Sequence, residues 1–138
     1  MNARTKETAV EEKDREAVVA VPGRIVAAWR ENNAQAFSEV FTEDGTMILP
    51  GVFRKGRQNV KAFMESAFSG PYKGTRVTGT PVDLRFLGPD NAVIVTQGGI
   101  LASGETEVSD ERAVRATWVV TREAGDWRLA SYQNSPRG

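Results

Sequence analysis

The sequence predicts an α+β domain: a cone-shaped barrel in which a strongly bent antiparallel sheet carries three helices, all from the N-terminal half, on its concave face. Three observations predict it. Residues 28–48 read AWRENNAQAFSEVFTEDGTMI, which is the end of an amphipathic helix, a polar break, a short helix, a turn and the first β residues. Everything after residue 75 is a series of long β-rich runs joined by short loops, the pattern of an antiparallel meander. Pro81 and the Gly98-Gly99 pair fall inside those runs, where a missing ladder donor and a bulge would bend the sheet into a concave surface.

The elements follow in order. Residues 1–13 are polar and without periodicity, and are expected to fray or to extend the first helix. From Asp14 the apolar residues Ala17, Val18, Val21, Ile25, Ala28 and Trp29 recur at spacings of three and four, one face of a helix ending near Arg30. Pro22 lies within that stripe, and the continuity of the stripe favours a helix kinked at Pro22 over one beginning there. Asn32 and Asn33 suit a stop and a cap, and Ala34, Phe37, Val40 and Phe41 form the narrower stripe of a second short helix. After an Asp44-Gly45 turn, 46–49 and 52–55 read as two short strands joined at Pro50-Gly51. A third helix over 58–69 carries Val60, Phe63, Met64, Ala67 and Phe68. Four long strands are expected at 75–87, 92–102, 112–122 and 127–134, separated by LGPDN, SGETEVSD and EAGD.

Composition narrows the function. At 138 residues the chain fits a single domain, placed at 14–138, able to bury roughly two thirds of its unfolded surface. Lysines and arginines (18) balance aspartates and glutamates (18) without long runs of either sign, which argues against nucleic acid and against a basic membrane patch. No apolar stretch approaches the ~18 residues of a membrane span, and the reading is a cytoplasmic protein. The chain has no histidine and no cysteine. A Ser/His/Asp triad, a thiolate nucleophile and a histidine- or cysteine-ligated metal are therefore impossible, and only carboxylates, lysine, tyrosine or the amino terminus remain to move a proton.

The last hairpin permits a register argument. With a four-residue loop at 123–126, Val120 faces Leu129, Trp118 faces Ser131 and Ala116 faces Gln133, and that side is assigned to the interior. The opposite side, with Arg115, Thr117, Val119 and Thr121 against Arg128, Ala130, Tyr132 and Asn134, becomes the dimer surface. A one-residue slip would exchange these roles.

The motifs that promise chemistry are weak. GVFRKGR lacks the Lys-Ser/Thr of a phosphate-binding loop, and there is no GxGxxG, so no cofactor is expected. Glu105, Glu107, Asp110 and Glu111 have the oxygen ligands of a hard cation but read more simply as a solvated loop, and no metal site is assigned. Glu43 and Asp44 read as turn and cap residues. A large aromatic and methionine set remains. Three helices over a bent sheet leave a conical gap, and Trp29, Phe53, Met64, Phe68, Tyr72 and Trp118, with Ser131 and Gln133 as inward polar groups, are the expected lining of a small-molecule pocket.

AW followed by an Asn-Asn break, AFSEVFTEDGTMILPG, GRQNVKAFMESAF and RATWVVTREAGDWRLASYQNSP together resemble the nuclear transport factor 2-like (SnoaL-like, cystatin-related) superfamily over Val18 to Pro136. FTEDGTMILPG and the closing YQN are similar to the SgcJ group associated with enediyne polyketide antibiotics. The resemblance implies a cone that holds a hydrophobic ligand and a homodimer formed through the convex sheet face. Catalytic members of such a superfamily place an Asp, His or Tyr inside. Here no histidine exists, no carboxylate falls on the interior side of the last hairpin, and the facing of Asp83 is open. The leading expectation is thus binding of a hydrophobic polyketide-type molecule; a cyclase or isomerase using Tyr72 or Asp83 and a purely structural dimerisation module are the alternatives.

Overall fold

The computed structural model describes residues 2–137, with side chains from Glu12 onward. Its elements are α1 (Asn2–Arg30), α2 (Ala34–Glu39), β1 (Phe41–Leu49), β2 (Val52–Lys55), α3 (Arg57–Phe68), β3 (Arg76–Phe86), β4 (Asn91–Leu101), a 3-10 turn at Asp110–Arg112, β5 (Ala113–Glu123) and β6 (Asp126–Pro136). The expectation for residues 1–13 lies, for Met1 and for the side chains of 2–11, outside the described residues. The six strands form one sheet in the order β2-β1-β6-β5-β4-β3. Every neighbouring pair is antiparallel except β1 and β6, which run parallel. That single exception follows from the chain path: β6 returns between β1 and β5 instead of adding to an edge.

The helices are positioned by the stripes that the sequence carries. Val18, Val21, Ile25, Ala28 and Trp29 are all buried on α1, which continues through Pro22. Asn32 ends the helix in a left-handed conformation (φ 48°). Its carboxamide donates to the Trp29 carbonyl at 2.7 Å and accepts from the Gly74 N–H at 2.8 Å, tying the helix end to the loop before β3. Asn33 then caps α2, its side chain accepting from the Ala36 N–H at 2.9 Å; this is the usual way a short polar residue satisfies an orphan helix donor.

Two sequence expectations are corrected here. Phe41 begins a strand instead of ending α2, and 42–45 form a bulge within β1 instead of a turn before it. Gly45 explains why the bulge is tolerated, because a Cβ there would crowd the Leu129 carbonyl and the Phe41 ring at 3.0 and 3.1 Å. The second correction concerns β6. Val120 does pair with Leu129, but Val119 pairs with Ser131 and Trp118 with Tyr132, so Ala130 is an extra residue and all later residues change face.

Of the two expected breaks in the ladder one is present, at Pro81, whereas Gly98 and Gly99 pair in unbroken register with β3 and β5 and form no bulge. The β3/β4 register shifts between Pro81 and Asp83. A Cβ on Gly98 would run into the Thr78 carbonyl, and one on Gly99 into that of Arg112, so only glycine lets these strands and the loop before β5 approach so closely. Gly98→Ala is expected to cost about 3 kcal/mol or more, since backbone rather than a flexible side chain would have to move. Gly23, exposed in the middle of α1 with nothing near its missing Cβ, gives the opposite sign: Gly23→Ala should stabilise by about 0.5–1 kcal/mol. Denaturant unfolding of the two variants beside the parent checks both.

Candidate functional site

Cross-sheet rows place the site. Met47, Tyr132, Trp118, Ile94 and Leu84 stand in register across β1, β6, β5, β4 and β3, and directly opposed residues share a face. The next inward row contains Asn134, Ala116 and Thr96. With α1 laid across this concave face, the rows enclose a cavity of about 270 Å³. Its walls are apolar and aromatic: Trp29 from α1, Phe37 from α2, Met47 from β1, Met64 from α3, and Trp118 from β5.

Of the residues expected to line a pocket, Trp29, Met64, Tyr72 and Trp118 do so. Phe68 stands behind the wall, packed edge-on against Trp29 with ring centroids 5.3 Å apart. Phe53 is a correction. It opposes Ile48 on the outer face of the sheet and is 59% exposed. Ser131 and Gln133 are corrections too, for the reason given by Ala130: Ser131 bonds the Thr46 hydroxyl at 2.8 Å, and Gln133 is exposed opposite Ile48 and Thr117. In their place Tyr132 and Asn134, which the register argument had put on the convex surface, face the cavity. A signal was available in the sequence. Strict alternation cannot put both Leu129 and Tyr132 inside, and a tyrosine suits a buried row better than the serine beside it.

The interior is held rigidly. Trp118 donates from its indole N–H to the buried Thr96 hydroxyl at 2.9 Å and meets the Tyr132 ring edge-on at 4.7 Å. Trp29 donates to the Thr75 hydroxyl at 2.8 Å, and Tyr72 packs on it at 5.0 Å. Asn134 donates from Nδ2 to the Tyr132 hydroxyl at 2.9 Å, while its own Oδ1 is buried without a partner among the described residues.

Electrostatically the chamber is a poor place for charge. Burial pushes the Tyr72 hydroxyl above its ordinary value of 10.0. Burial also pushes Tyr132 up, opposed by the bond from Asn134 and reinforced by the nearby Tyr72. Both therefore stay protonated across the physiological range. The one carboxylate among the lining residues, Glu111, is exposed at the mouth beside Arg112. Arg112 is engaged by Glu105, whose carboxyl is held below its ordinary range first by the Ala102 N–H and then by Arg112 itself. Asp83 lies exposed on the outer row opposite Val95 and does not reach the cavity. Among the described residues no group of three or more acidic side chains is placed to hold a metal ion, and no helix is long and apolar enough to cross a membrane.

A six-stranded curled sheet wrapped on three helices, with an apolar chamber between, is the nuclear transport factor 2-like, cystatin-like architecture. The model of the SnoaL-like domain family matches residues 18–137, and the chain belongs to that family. A Nostoc punctiforme domain of unknown function with a cystatin-like fold is similar at 28% identity and a TM-score of 0.84, over 91% of this chain and 78% of that one. A nuclear transport factor 2-like protein from Novosphingobium aromaticivorans superposes with a TM-score of 0.80 at 22% identity, over 99% of this chain and 87% of that one. The fold is also that of a hexachlorocyclohexane dehydrochlorinase from Novosphingobium barchaimii (TM-score 0.79, 12% identity, 95% and 91% covered). A comparison with curated proteins finds no match.

The chain has two tyrosines, and both face the cavity, so alkaline titration reads this site alone. Folded hydroxyls raised above 10.0 contribute stability that is complete below pH 10 and is lost as pH rises through the folded values. The phenolate absorbance of the native protein should therefore rise later than that of the denatured protein. Folding stability should fall above pH 10, and less steeply in Tyr132→Phe.

Proposed function

We propose that this protein binds a hydrophobic polyketide-type small molecule in its conical cavity, as a cytoplasmic homodimer that assists the biosynthesis of an enediyne-type antibiotic. The observation that carries the reading is the cavity itself: a chamber of about 270 Å³ walled by Trp29, Phe37, Met47, Met64 and Trp118, with Tyr72, Tyr132 and Asn134 among its few polar groups. Small-molecule sites have this make-up, apolar walls with a few placed polar groups. The volume is just below the usual ~300–1,000 Å³, and suits one ring system or the end of a longer chain. A filled cone would have favoured a purely structural module. The polyketide and enediyne parts rest on the resemblance of FTEDGTMILPG and the closing YQN to the SgcJ group. The homodimer rests on the outer rows, where Phe53, Ile48, Val95 and Val119 alternate with Thr117 and Gln133 in a surface of mixed character.

A second reading, a cofactor-independent cyclase or isomerase, keeps one specific support. The tyrosine hydroxyls in the chamber retain their protons and would polarise a ligand carbonyl. Asp83 lies outside the cavity, and the one lining carboxylate is Glu111, exposed at the mouth. The dehydrochlorinase of the same fold illustrates that the architecture accommodates elimination chemistry, while its sequence distance carries over no residue.

Two of the three tryptophans, Trp29 and Trp118, line the cavity. Titration with extended polyenes should give a saturable change in tryptophan fluorescence; a strictly linear, unsaturable response would sink the binding reading. Trp29→Ala, which removes a buried ring in contact with Phe37, Phe68 and Tyr72, should lower stability by about 3–5 kcal/mol and weaken polyene binding together.

A further inference from the structure

We propose that the hydroxyl of Tyr132, set in place by Asn134, is the polar contact that orients the ligand, and that the ligand accordingly presents a carbonyl oxygen to β6. The assignment rests on the binding function proposed above and names the chemical group that the cavity selects.

A phenolic hydroxyl carries one donor and accepts as well. Tyr132 already accepts from Asn134 Nδ2 at 2.9 Å, and among the described residues its own proton has no acceptor. Asn134 supplies no acceptor for that proton in this arrangement, since the amide is turned with its nitrogen toward Tyr132 and its Oδ1 is buried apart. The hydroxyl is thus a donor that the protein positions and does not use. A donor left unmatched in an apolar chamber costs free energy that a ligand acceptor recovers.

Its direction is fixed from both sides. The Tyr132 ring is held edge-on by Trp118 at 4.7 Å, and Trp118 is itself fixed to Thr96 at 2.9 Å. All three residues lie on strands, so the hydroxyl is held by the sheet and not by a loop. A phenol is protonated at neutral pH, and with Asn134 Nδ2 already donating to its oxygen the group left to a ligand is the donor, which selects an acceptor. Tyr72 faces the same space from the loop after α3 with its hydroxyl also unpartnered among the described residues. Two donors and an apolar wall fit an oxygenated hydrophobic molecule such as a ketone-bearing ring better than a plain hydrocarbon.

The test uses 1-tetralone and tetralin, two bicyclic probes of nearly equal shape that differ in one carbonyl. Binding of each is measured by calorimetry to the parent, Tyr132→Phe and Asn134→Leu, and the carbonyl stretch of bound tetralone is read by infrared difference spectroscopy. Tyr132→Phe should weaken tetralone about three- to tenfold, the range of one net hydrogen bond, and leave tetralin within about twofold. The bound carbonyl stretch should move to higher frequency in the same variant. Asn134→Leu should weaken tetralone in the same direction without affecting tetralin. If Tyr132→Phe leaves both tetralone affinity and the stretch unchanged, the assignment is wrong while the pocket reading survives. Equal loss of both probes would mean a collapsed cavity and would also overturn it. If neither probe binds the parent protein, the pocket reading itself fails and takes this inference with it.

Discussion

Residue 130 is where the sheet's ladder breaks on both sides of its central strand. Against β5, Leu129 and Ser131 oppose adjacent residues, so Ala130 is extra on β6. Against β1 the imbalance is reversed: Phe41 pairs with Leu129 and Thr46 with Ser131, so four β1 residues oppose one of β6. A bulge re-aims every side chain beyond it. Before Ala130 the interior receives Leu129 and Trp127; after it, Tyr132 and Asn134. The polar end of the cavity exists because of this break, and without it the chamber would be closed by Ser131 and Gln133.

Trp29 completes the enclosure from the opposite wall. Its ring touches Phe37, Phe68 and Tyr72, and its N–H is satisfied by Thr75, which in turn donates to the Tyr72 carbonyl at 2.7 Å. One side chain thereby joins α1, α2, α3 and the loop that delivers Tyr72. The helix that carries it is pinned further along by Arg24 donating to the Trp127 carbonyl at 3.2 Å, and by Arg122 paired with Asp14 at 2.9 Å while lying over the Trp127 ring. Exposed ion pairs contribute little alone. Here the pair adds a polar tie between α1 and β5 to the apolar stripe that sets which face of the helix meets the sheet.

The fold was legible because its signals are periodic. The α1 and α3 stripes, the Asn32-Asn33 break and the four long strands each satisfy a 3.6- or 2-residue rule over many positions, so a local irregularity does not erase them. The site was legible only where it depends on such signals: Trp29, Met64 and Trp118 sit on regular stretches, and Tyr72 follows a helix end. It was lost where one inserted residue decides the outcome. Ala130 is itself neither glycine nor proline, so the only sign of the bulge is in its neighbours, Leu129 and Tyr132, and its effect on Ser131 through Asn134 is total. The same holds for 42–45, where Asp44-Gly45 has the composition of a turn but lies in a bulge of four β1 residues opposite the single residue Ala130 of β6. Phe53 was misplaced for a different reason: in a two-stranded edge, residue type is a weak guide to face, and this phenylalanine is solvent-exposed opposite Ile48.

What the chamber can do chemically is set by an asymmetry in protons. It holds hydroxyl donors that burial keeps protonated, an indole donor already committed to Thr96, and a carboxamide, but no histidine exists in the chain and the single lining carboxylate is at the mouth. Such a site stabilises negative charge developing on a carbonyl oxygen and has no buried base to remove the proton that would create it. Cyclisations and isomerisations through an enolate require both. This imbalance is what led us to propose binding of a carbonyl-bearing hydrophobic molecule before its transformation, since the lining supplies donors for the first and no buried carboxylate for the second. Any reaction there would have to draw its base from the ligand or from water at the mouth, where Glu111 and the Glu105-engaged Arg112 are the nearest charged groups of the lining.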